Sequence, residues 1–401
     1  MSDPLPHGRN RRAIVLAAAA LAVAGAAAGA ARQAMFPDAR QLFVQGLGIE
    51  QKDPAASESL FRRAIQAAGG RYPDAQIALC QALGRQHRWD QALAEFSSVQ
   101  VEACRSDLLL AFGRDALEVE QKSAGLQALQ AVAQRSSPAS VAALERLKAA
   151  YQEWGEADEE RAAACALTRL ESDNPDHWKS LIALLQAQHR VLQCEEALRE
   201  GLQLQLPDVY RQEFEYKLIT ILVARGEIHE SRRRIADLKK IEGQSFRLSM
   251  SEIDLYRIEG RWDQAQILAA GLTPDAGNLP VMYHVRGVVH LDLEQYDEAA
   301  RDLERAVALR PFNERIHFKL SEAYRLLKRP ESAARHAKIA DEITAKRKRI
   351  TTLTDQLRLQ PRDATTFEQL VELHEELGDE NGAHFWQERA RRQLAVPPNS
   401  N

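Results

Sequence analysis

The chain has 401 residues, of which 45% are hydrophobic and 6% are aromatic, and its formal net charge at pH 7 is -4. This hydrophobic content is enough to bury a core, and the slightly acidic balance argues against a protein that binds nucleic-acid phosphates. The four cysteines, Cys80, Cys104, Cys165 and Cys194, show no C-x-x-C spacing, which argues against a zinc or dithiol site. We therefore expect no metal, no cofactor and no nucleic-acid partner.

The N-terminal segment has the pattern of a membrane-targeting sequence. Residues 1–12 contain Arg9, Arg11 and Arg12, and they precede an uncharged, alanine-rich stretch at residues 13–31. A basic flank followed by an apolar run predicts a cytoplasmic N-terminus, an apolar helix, and a body on the far side of the membrane. Two alternatives stay open: a retained transmembrane anchor with the body in a bacterial periplasm, or a signal peptide that is cleaved on export.

A short motif recurs through the rest of the chain with a period of 34 residues. R-W-D-Q-A occurs at residues 88–92 and again at 261–265, and Trp262 lies 34 residues before Tyr296. Such self-similarity is the signature of a repeat architecture, in which each unit is one supersecondary element. The residue at the turn before each predicted second helix follows this period: Asp53, His87, Gln121, Gly155, His189, Gly226, Gly260, Glu294, Lys328 and Gly378.

A small side chain recurs five residues after most of these turns. Helices that approach each other closely need a small residue at the crossing, which explains the pattern. Three units, those at Asp53, Gln121 and Gly155, do not fit it. The small residues of the other units are Ala92, Cys194, Ser231, Ala265, Ala299, Ala333 and Ala383.

Residues 280–313 resemble a tetratricopeptide repeat (TPR). The residues that carry the resemblance are Tyr283, Gly287, Tyr296, Ala299, Leu303, Ala306 and Pro311. The resemblance extends over about residues 36–397. It implies an all-α protein, a right-handed α-solenoid of about ten TPR-like helix pairs preceded by one N-terminal apolar helix. If the body is exported, a disulfide between Cys165 and Cys194 of adjacent repeats is an open alternative to two core thiols.

One insertion interrupts the period near the C-terminus. Residues 36–328 form the predicted solenoid, and a helix at residues 329–360, which has no Pro or Gly from Glu331 to Leu359, is expected to extend beyond it. A final helix pair at residues 361–395 and a disordered tail at residues 396–401 follow. The apolar residues of the long helix keep a heptad-like spacing at Ile343, Ile350, Leu353 and Leu357.

The long helix carries the strongest basic run of the chain. We interpret this run either as a solvated helix face or as a patch for an acidic partner or anionic lipid. The basic patch consists of Lys346, Arg347, Lys348 and Arg349.

No combination of residues indicates catalysis. The chain has no G-x-S-x-G, no phosphate-binding glycine loop and no H-E-x-x-H, and the H-E-E at residues 374–376 stops short of the last. His87 and His189 lie at predicted turns and His290 takes a usual aromatic position, so we interpret all three as packing or capping residues. We therefore expect a protein that is not an enzyme.

The resemblance to TPR proteins implies a binding site. In that family the first helix of each pair lines a concave groove that receives a peptide or a helix. Four arginines among the groove positions favour an acidic protein or peptide ligand, whereas the Lys/Asn set of a carboxylate clamp is not evident. The groove residues carried over by position are Tyr216, Arg247, Met250, Asp254, Arg257, His284, Arg315, Phe318, Glu322 and Arg325.

The leading hypothesis from the sequence is a non-catalytic interaction scaffold that is membrane-anchored or exported. One alternative is a self-assembling structural protein of the cell envelope, in which the anchor and the long helix drive homo-oligomers. A second is an enzyme with an unrecognised site. Neither the partner nor its pathway follows from the residues.

Overall fold

The computed structural model describes residues 37–135, 137–273, 276–360 and 362–395. Within these ranges the regular structure is helical, which confirms the all-α fold class, and twenty α-helices follow one another as ten pairs, the number predicted. No helix in these ranges combines the length and the apolarity that a membrane span requires. The predicted apolar helix at residues 13–31 lies outside the described residues.

The chain divides into two compact units, and the first ends at Leu184. The helices of this unit pack on their neighbours around a core in which Phe61, Phe112 and Leu129 are fully buried. The helices are α1 (Pro37–Ile49), α2 (Pro54–Ala67), α3 (Pro73–Arg85), α4 (Trp89–Phe96), α5 (Ser106–Glu118), α6 (Lys122–Ala133), α7 (Pro138–Trp154), α8 (Ala157–Leu170) and α9 (Pro175–Ala187), the last of which runs across the boundary.

The second unit begins at Leu185. Its core is a series of small clusters, each shared between neighbouring helix pairs, as expected for repeats that cannot bury their apolar faces alone. The helices are α10 (Val191–Leu202), α11 (Asp208–Ala224), α12 (Ile228–Glu242), α13 (Phe246–Ile258), α14 (Trp262–Ala270), α15 (Leu279–Asp292), α16 (Tyr296–Leu309), α17 (Glu314–Leu326), α18 (Pro330–Leu359), α19 (Ala364–Glu376) and α20 (Glu380–Ala395).

A left-handed residue makes the turn within most pairs. Eight of the ten predicted turn residues have φ between 53° and 73°. Four of the eight are glycines, which adopt this conformation without steric cost, and the other four carry side chains. The seven predicted small residues that follow the turns are all buried, which confirms that they lie at close helix crossings.

Two predicted turn residues do not have the left-handed conformation. Glu120, not Gln121, has the left-handed conformation, with φ of 63°. Asp53 has φ of -143° and caps α2, where its carboxylate accepts a hydrogen bond from the backbone N–H of Ala56 at 2.9 Å. Both errors arise because the 34-residue spacing was extended into units whose own sequence departs from the motif.

If the repeat pattern is shifted by one residue towards the N-terminus in the first and third pairs, a small residue again lies at each helix crossing. Ser57, with no exposed surface, then takes the position in the first pair. Gly125 takes it in the third pair, where an added Cβ would lie 2.5 Å from Cδ2 of Leu117. The fourth pair stays an exception, since Glu160 occupies the position and its partial burial raises the pKa of its carboxyl.

The long helix α18 has 30 residues and contacts two separate cores. Ala333 near its start joins the core of α16 and α17. Leu353 and Leu357 near its end pack with Phe367 and Trp386 of the last pair. The middle of the helix lies beside the first residue of α17, and so its second half extends past α17 and holds α19 and α20.

Candidate functional site: the first-helix surface of the second unit

Four first helices carry all ten predicted groove residues. α11 contacts α13, α13 contacts α15, and α15 contacts α17, so the four helices form one continuous surface within the second unit. We call this surface, defined by the ten predicted residues together with Lys319 and Asp292, the first-helix surface. Its residues come together in two groups, one around Tyr216 and one around His284.

The first group is closed by internal contacts. Tyr216 is only 6% exposed, and its hydroxyl donates a hydrogen bond to the carboxylate of Glu242 and lies 2.6 Å from Oγ of Ser245. Burial raises the pKa of Tyr216 to about 12. The guanidinium carbon of Arg247, from the next pair, lies 4.0 Å from the centre of the ring. A ligand here would therefore meet the exposed Arg247 rather than the tyrosine.

An ion-pair network connects the middle of the surface. The Nε–H of Arg257 donates to Oδ2 of Asp292 at 2.5 Å, which links α13 to the end of α15. Its Nη1–H donates to Oδ1 of Asp254 at 3.2 Å. Desolvation between the helices raises the pKa of Asp254, although about half of its side chain, 49%, still contacts water. Met250, on the same helix, is half-buried against the core.

His284 lies at the centre of the second group. Its pKa is lowered, first by desolvation and then by the positive charges of Lys319, Arg257 and Arg315. The imidazole is therefore neutral at pH 7 and stands in a positive potential produced by side chains from α13 and α17. This arrangement disfavours a further cation and favours an anionic ligand group.

α17 presents the exposed part of the surface. Phe318 is 61% exposed, and Arg315 and Arg325 also face solvent. Nζ of Lys319 donates to Oε2 of Glu322 at 2.8 Å. The sequence prediction omitted Lys319, which its i, i+4 spacing from Arg315 could have revealed.

The predicted basic patch is largely occupied by contacts within the second unit. Nζ of Lys346 lies 3.0 Å from Oε2 of Glu376 in α19. Nη2 of Arg347 lies 3.5 Å from Oε2 of Glu314, the first residue of α17. Arg349 donates to Oε1 of Gln369 at 3.1 Å, and Lys348 is exposed. These contacts fix the path of α18 between its neighbours.

The other singled-out polar residues have structural roles. His87 and His189 form left-handed turns, and Nδ1 of His290 lies 2.7 Å from Oε1 of Gln295. The ring of His374, in the H-E-E segment, contacts the carboxylate of Asp379 at 2.8 Å and accepts the indole N–H of Trp386 at 3.2 Å. In the part of the chain that the structure describes, no three His, Cys, Asp or Glu side chains could share a metal ion.

Three of the cysteines are buried, and Cys165 is half-buried. Burial raises the pKa of the Cys104 thiol to about 12, and that of Cys80 is raised further by the same cause. Thiols with such pKa values are poor nucleophiles at neutral pH, which supports their interpretation as core residues. The bridge between Cys165 and Cys194 stays a prediction.

A family model for the tetratricopeptide repeat matches residues 281–313, inside the unit that carries the resemblance in the sequence. No curated protein matches the chain. Solved structures that resemble it include a tetratricopeptide repeat protein from Parabacteroides merdae, at 16% identity over 72% of this chain and 99% of that one, with a TM-score of 0.37.

Two further solved structures cover less of the chain. PilF of Pseudomonas aeruginosa is 11% identical over 56% of this chain and 93% of its own, with a TM-score of 0.36. MamA of Desulfovibrio magneticus is 15% identical over 43% of this chain and 95% of its own, with a TM-score of 0.33. These scores are too low to carry an argument about function. Residues 281–313 match the tetratricopeptide repeat family model, and helix pairs with the same left-handed turn precede and follow this segment.

Proposed function

We propose that this protein is a non-catalytic scaffold that binds an acidic peptide or protein segment along the first-helix surface of its second unit. The observation that carries the proposal is the set of exposed arginines on this surface, Arg247, Arg315 and Arg325, of which Arg315 also contributes positive potential at His284. Guanidinium groups hold carboxylates through charge-assisted, often bidentate hydrogen bonds. A segment with one or more Asp or Glu side chains would complete this arrangement.

The exposed ring of Phe318 supports a mixed ligand rather than a purely ionic one. An aromatic ring that is 61% exposed on α17 beside two exposed arginines is a typical anchor for an apolar ligand side chain. An acidic residue near His284 and an apolar residue over Phe318, on one extended segment, would use both features. The chemistry of the surface thus favours an acidic-hydrophobic segment.

The proposal places the protein at a membrane, through residues 13–31, or beyond it after cleavage of that segment. Its support is the basic flank and the apolar stretch in the sequence. Deleting residues 1–32 should move the protein from the membrane fraction, or from the exported fraction, to the cytoplasm. An unchanged distribution would remove this part of the proposal and leave the binding surface untouched.

The binding proposal is tested by cross-linking and affinity capture of the full-length protein from its native membranes, read by mass spectrometry. The test variant combines Arg315→Glu with Phe318→Ala, both at exposed positions of α17. The control is Arg233→Glu, which makes the same charge change at an exposed position of the second helix α12. We expect one or more proteins to be captured by the parent and the control and lost from the test variant.

Two other outcomes would contradict this assignment. Partners retained by the test variant would place the binding site elsewhere on the chain. Capture of the protein by itself alone would favour the self-assembling alternative, which light scattering at several concentrations would then confirm as a concentration-dependent mass.

A further inference from the structure

Two histidines form a stacked pair at the base of the long helix. His317 of α17 is 3% exposed, and its ring centre lies 5.2 Å from that of His336 in α18, with 26° between the planes. The two Nδ1 atoms are 3.0 Å apart. On the other side, His336 stacks on the ring of Tyr324 at 5.7 Å and 14°. The three rings lie in the contact between α17 and the first half of α18.

Geometry assigns the protons of this pair. Nε2 of His317 lies 2.9 Å from the carbonyl oxygen of Pro311, and a carbonyl only accepts hydrogen bonds, so this nitrogen carries the proton. The neutral ring of His317 then has an unprotonated Nδ1, which accepts the bond from Nδ1–H of His336. A second proton on His317 would have to go to its Nδ1, where it would face another N–H at 3.0 Å.

We propose that His317 and His336 form a pH-sensitive latch, which holds the base of α18 against α17 near neutral pH and opens when both imidazoles are protonated. Double protonation replaces one hydrogen bond by two opposed donors and places two positive charges in contact within a buried site.

The charged and titratable groups around the pair give limited compensation. Glu304 of α16 is one negative group nearby, and it accepts the hydroxyl hydrogen of Tyr324. Arg335 of α18 and Arg329 before it are positive. Desolvation, followed by the effects of His317 and Arg335, lowers the pKa of His336, and Glu304 opposes this only in part.

The sign of the pH effect follows from this direction. The folded contact binds fewer protons than the unfolded chain below the ordinary imidazole pKa of about 6.5, so the contact weakens as the pH falls through and below that value. The latch lies between two functional parts of the second unit: α17 with the exposed Phe318, and α18 with the last helix pair. Its opening would loosen the start of α18 against α17, through which α18 and the last pair are joined to the first-helix surface.

Hydrogen exchange of the full-length protein tests the proposal. Backbone amides of residues 333–343 in α18 should lose protection severalfold, after correction for intrinsic exchange, between about pH 7.5 and about pH 5.5. In His336→Asn the amide Nδ2 takes the place of the donating Nδ1–H without a titrating ring, and the loss should disappear. His229→Asn, at an exposed position of α12, should retain the response of the parent.

A pH-independent protection in the parent, or an unchanged response in His336→Asn, would overturn the latch. A second measurement on the unaltered chain covers the case in which His336→Asn folds poorly. Nitrogen-15 spectra of the imidazoles at about pH 7.5 should show His317 as the Nε2–H tautomer and His336 with a proton on Nδ1. The opposite tautomers, or two charged rings with the contact intact at about pH 5.5, would also refute it.

Discussion

The crossing of α15 and α16 provides the sharpest test of how the repeats pack. Gly287 lies in α15 directly against α16, and an added Cβ would stand 2.6 Å from Cγ of Leu303 and 3.2 Å from the carbonyl oxygen of Ala299. Neither neighbour can withdraw easily, because Cγ of Leu303 is a branch carbon in a side chain with no exposed surface, and the carbonyl belongs to the helix backbone. Gly287→Ala should therefore force the two helices apart.

The expected magnitude is a balance of two effects. Alanine gains about 1 kcal/mol over glycine in a helix interior, whereas overpacking of a well-filled core costs about 1–3 kcal/mol. The separation of 2.6 Å is far below an ordinary carbon–carbon contact, so the upper part of that range applies. We expect Gly287→Ala to lower the local free energy of unfolding by about 1–2 kcal/mol.

The assay is native-state hydrogen exchange of α15 and α16, supported by urea unfolding followed by circular dichroism. Gly48→Ala in α1 is the matched control, since its Cβ would meet nothing within 4 Å and should stabilise by up to about 1 kcal/mol. In a Leu303→Ala background the main clash is absent, and Gly287→Ala should become neutral or stabilising. Additive effects of the two substitutions would refute the proposed contact, because residues that clash must show coupling.

Three further predictions concern turns, charge and a side-chain hydrogen bond. Glu294 has a left-handed φ of 59°, which glycine adopts without steric cost, so Glu294→Gly should raise the free energy of unfolding by about 1 kcal/mol. Gly260 has φ of 70°, and Gly260→Ala should lower the free energy of unfolding by about as much in the same urea assay. Hydrogen bonds from Arg199 and Arg234 lower the pKa of Glu230 from 4.5 to about 2. The stability that these ion pairs contribute is therefore present above about pH 4.5 and decreases as the pH falls towards 2. Acid titration followed by circular dichroism should show a loss of about 1 kcal/mol in the parent and no such loss in Glu230→Gln. Trp386→Phe removes the hydrogen bond from the indole N–H to His374 and should lower the free energy of unfolding by about 1 kcal/mol. An unchanged midpoint in thermal unfolding would contradict a stabilising role for this hydrogen bond.

The sequence predicted the fold where the repeat motif is strong. From Gly226 to Gly378 every turn residue lies where the spacing places it, because a left-handed turn and a small residue at fixed distance are both required for close crossing of the helices. The prediction fails by one residue at Gln121 and Asp53, where the crossing uses Gly125 and Ser57 instead. A spacing rule cannot detect a one-residue shift when the residues at both positions are compatible with a turn.

The candidate site was predicted less completely, for a different reason. Position in the repeat indicates which side chains face the surface, but not which of them are covered by a neighbour. No pattern in the sequence indicated that the carboxylate of Glu242 would accept the hydroxyl hydrogen of Tyr216, or that Asp292 of α15 would bind Arg257 of α13. Such contacts depend on how far one pair is rotated relative to the next, which the period alone does not determine.

The insertion in α18 offers a physical reason for the exposure of Phe318. Tyr216, Met250, His284 and Phe318 follow one another at 34-residue intervals, so they occupy the same place in four successive repeats. The first is covered by Arg247 of the following pair, and the second and third are half-buried. The pair that follows Phe318 packs instead on the second half of α18, whose core is separate. The greater length of α18 therefore leaves the ring of Phe318 uncovered, whereas a regular stack would cover it with the next pair. The same insertion thus produces both the extended helix and the exposed end of the first-helix surface.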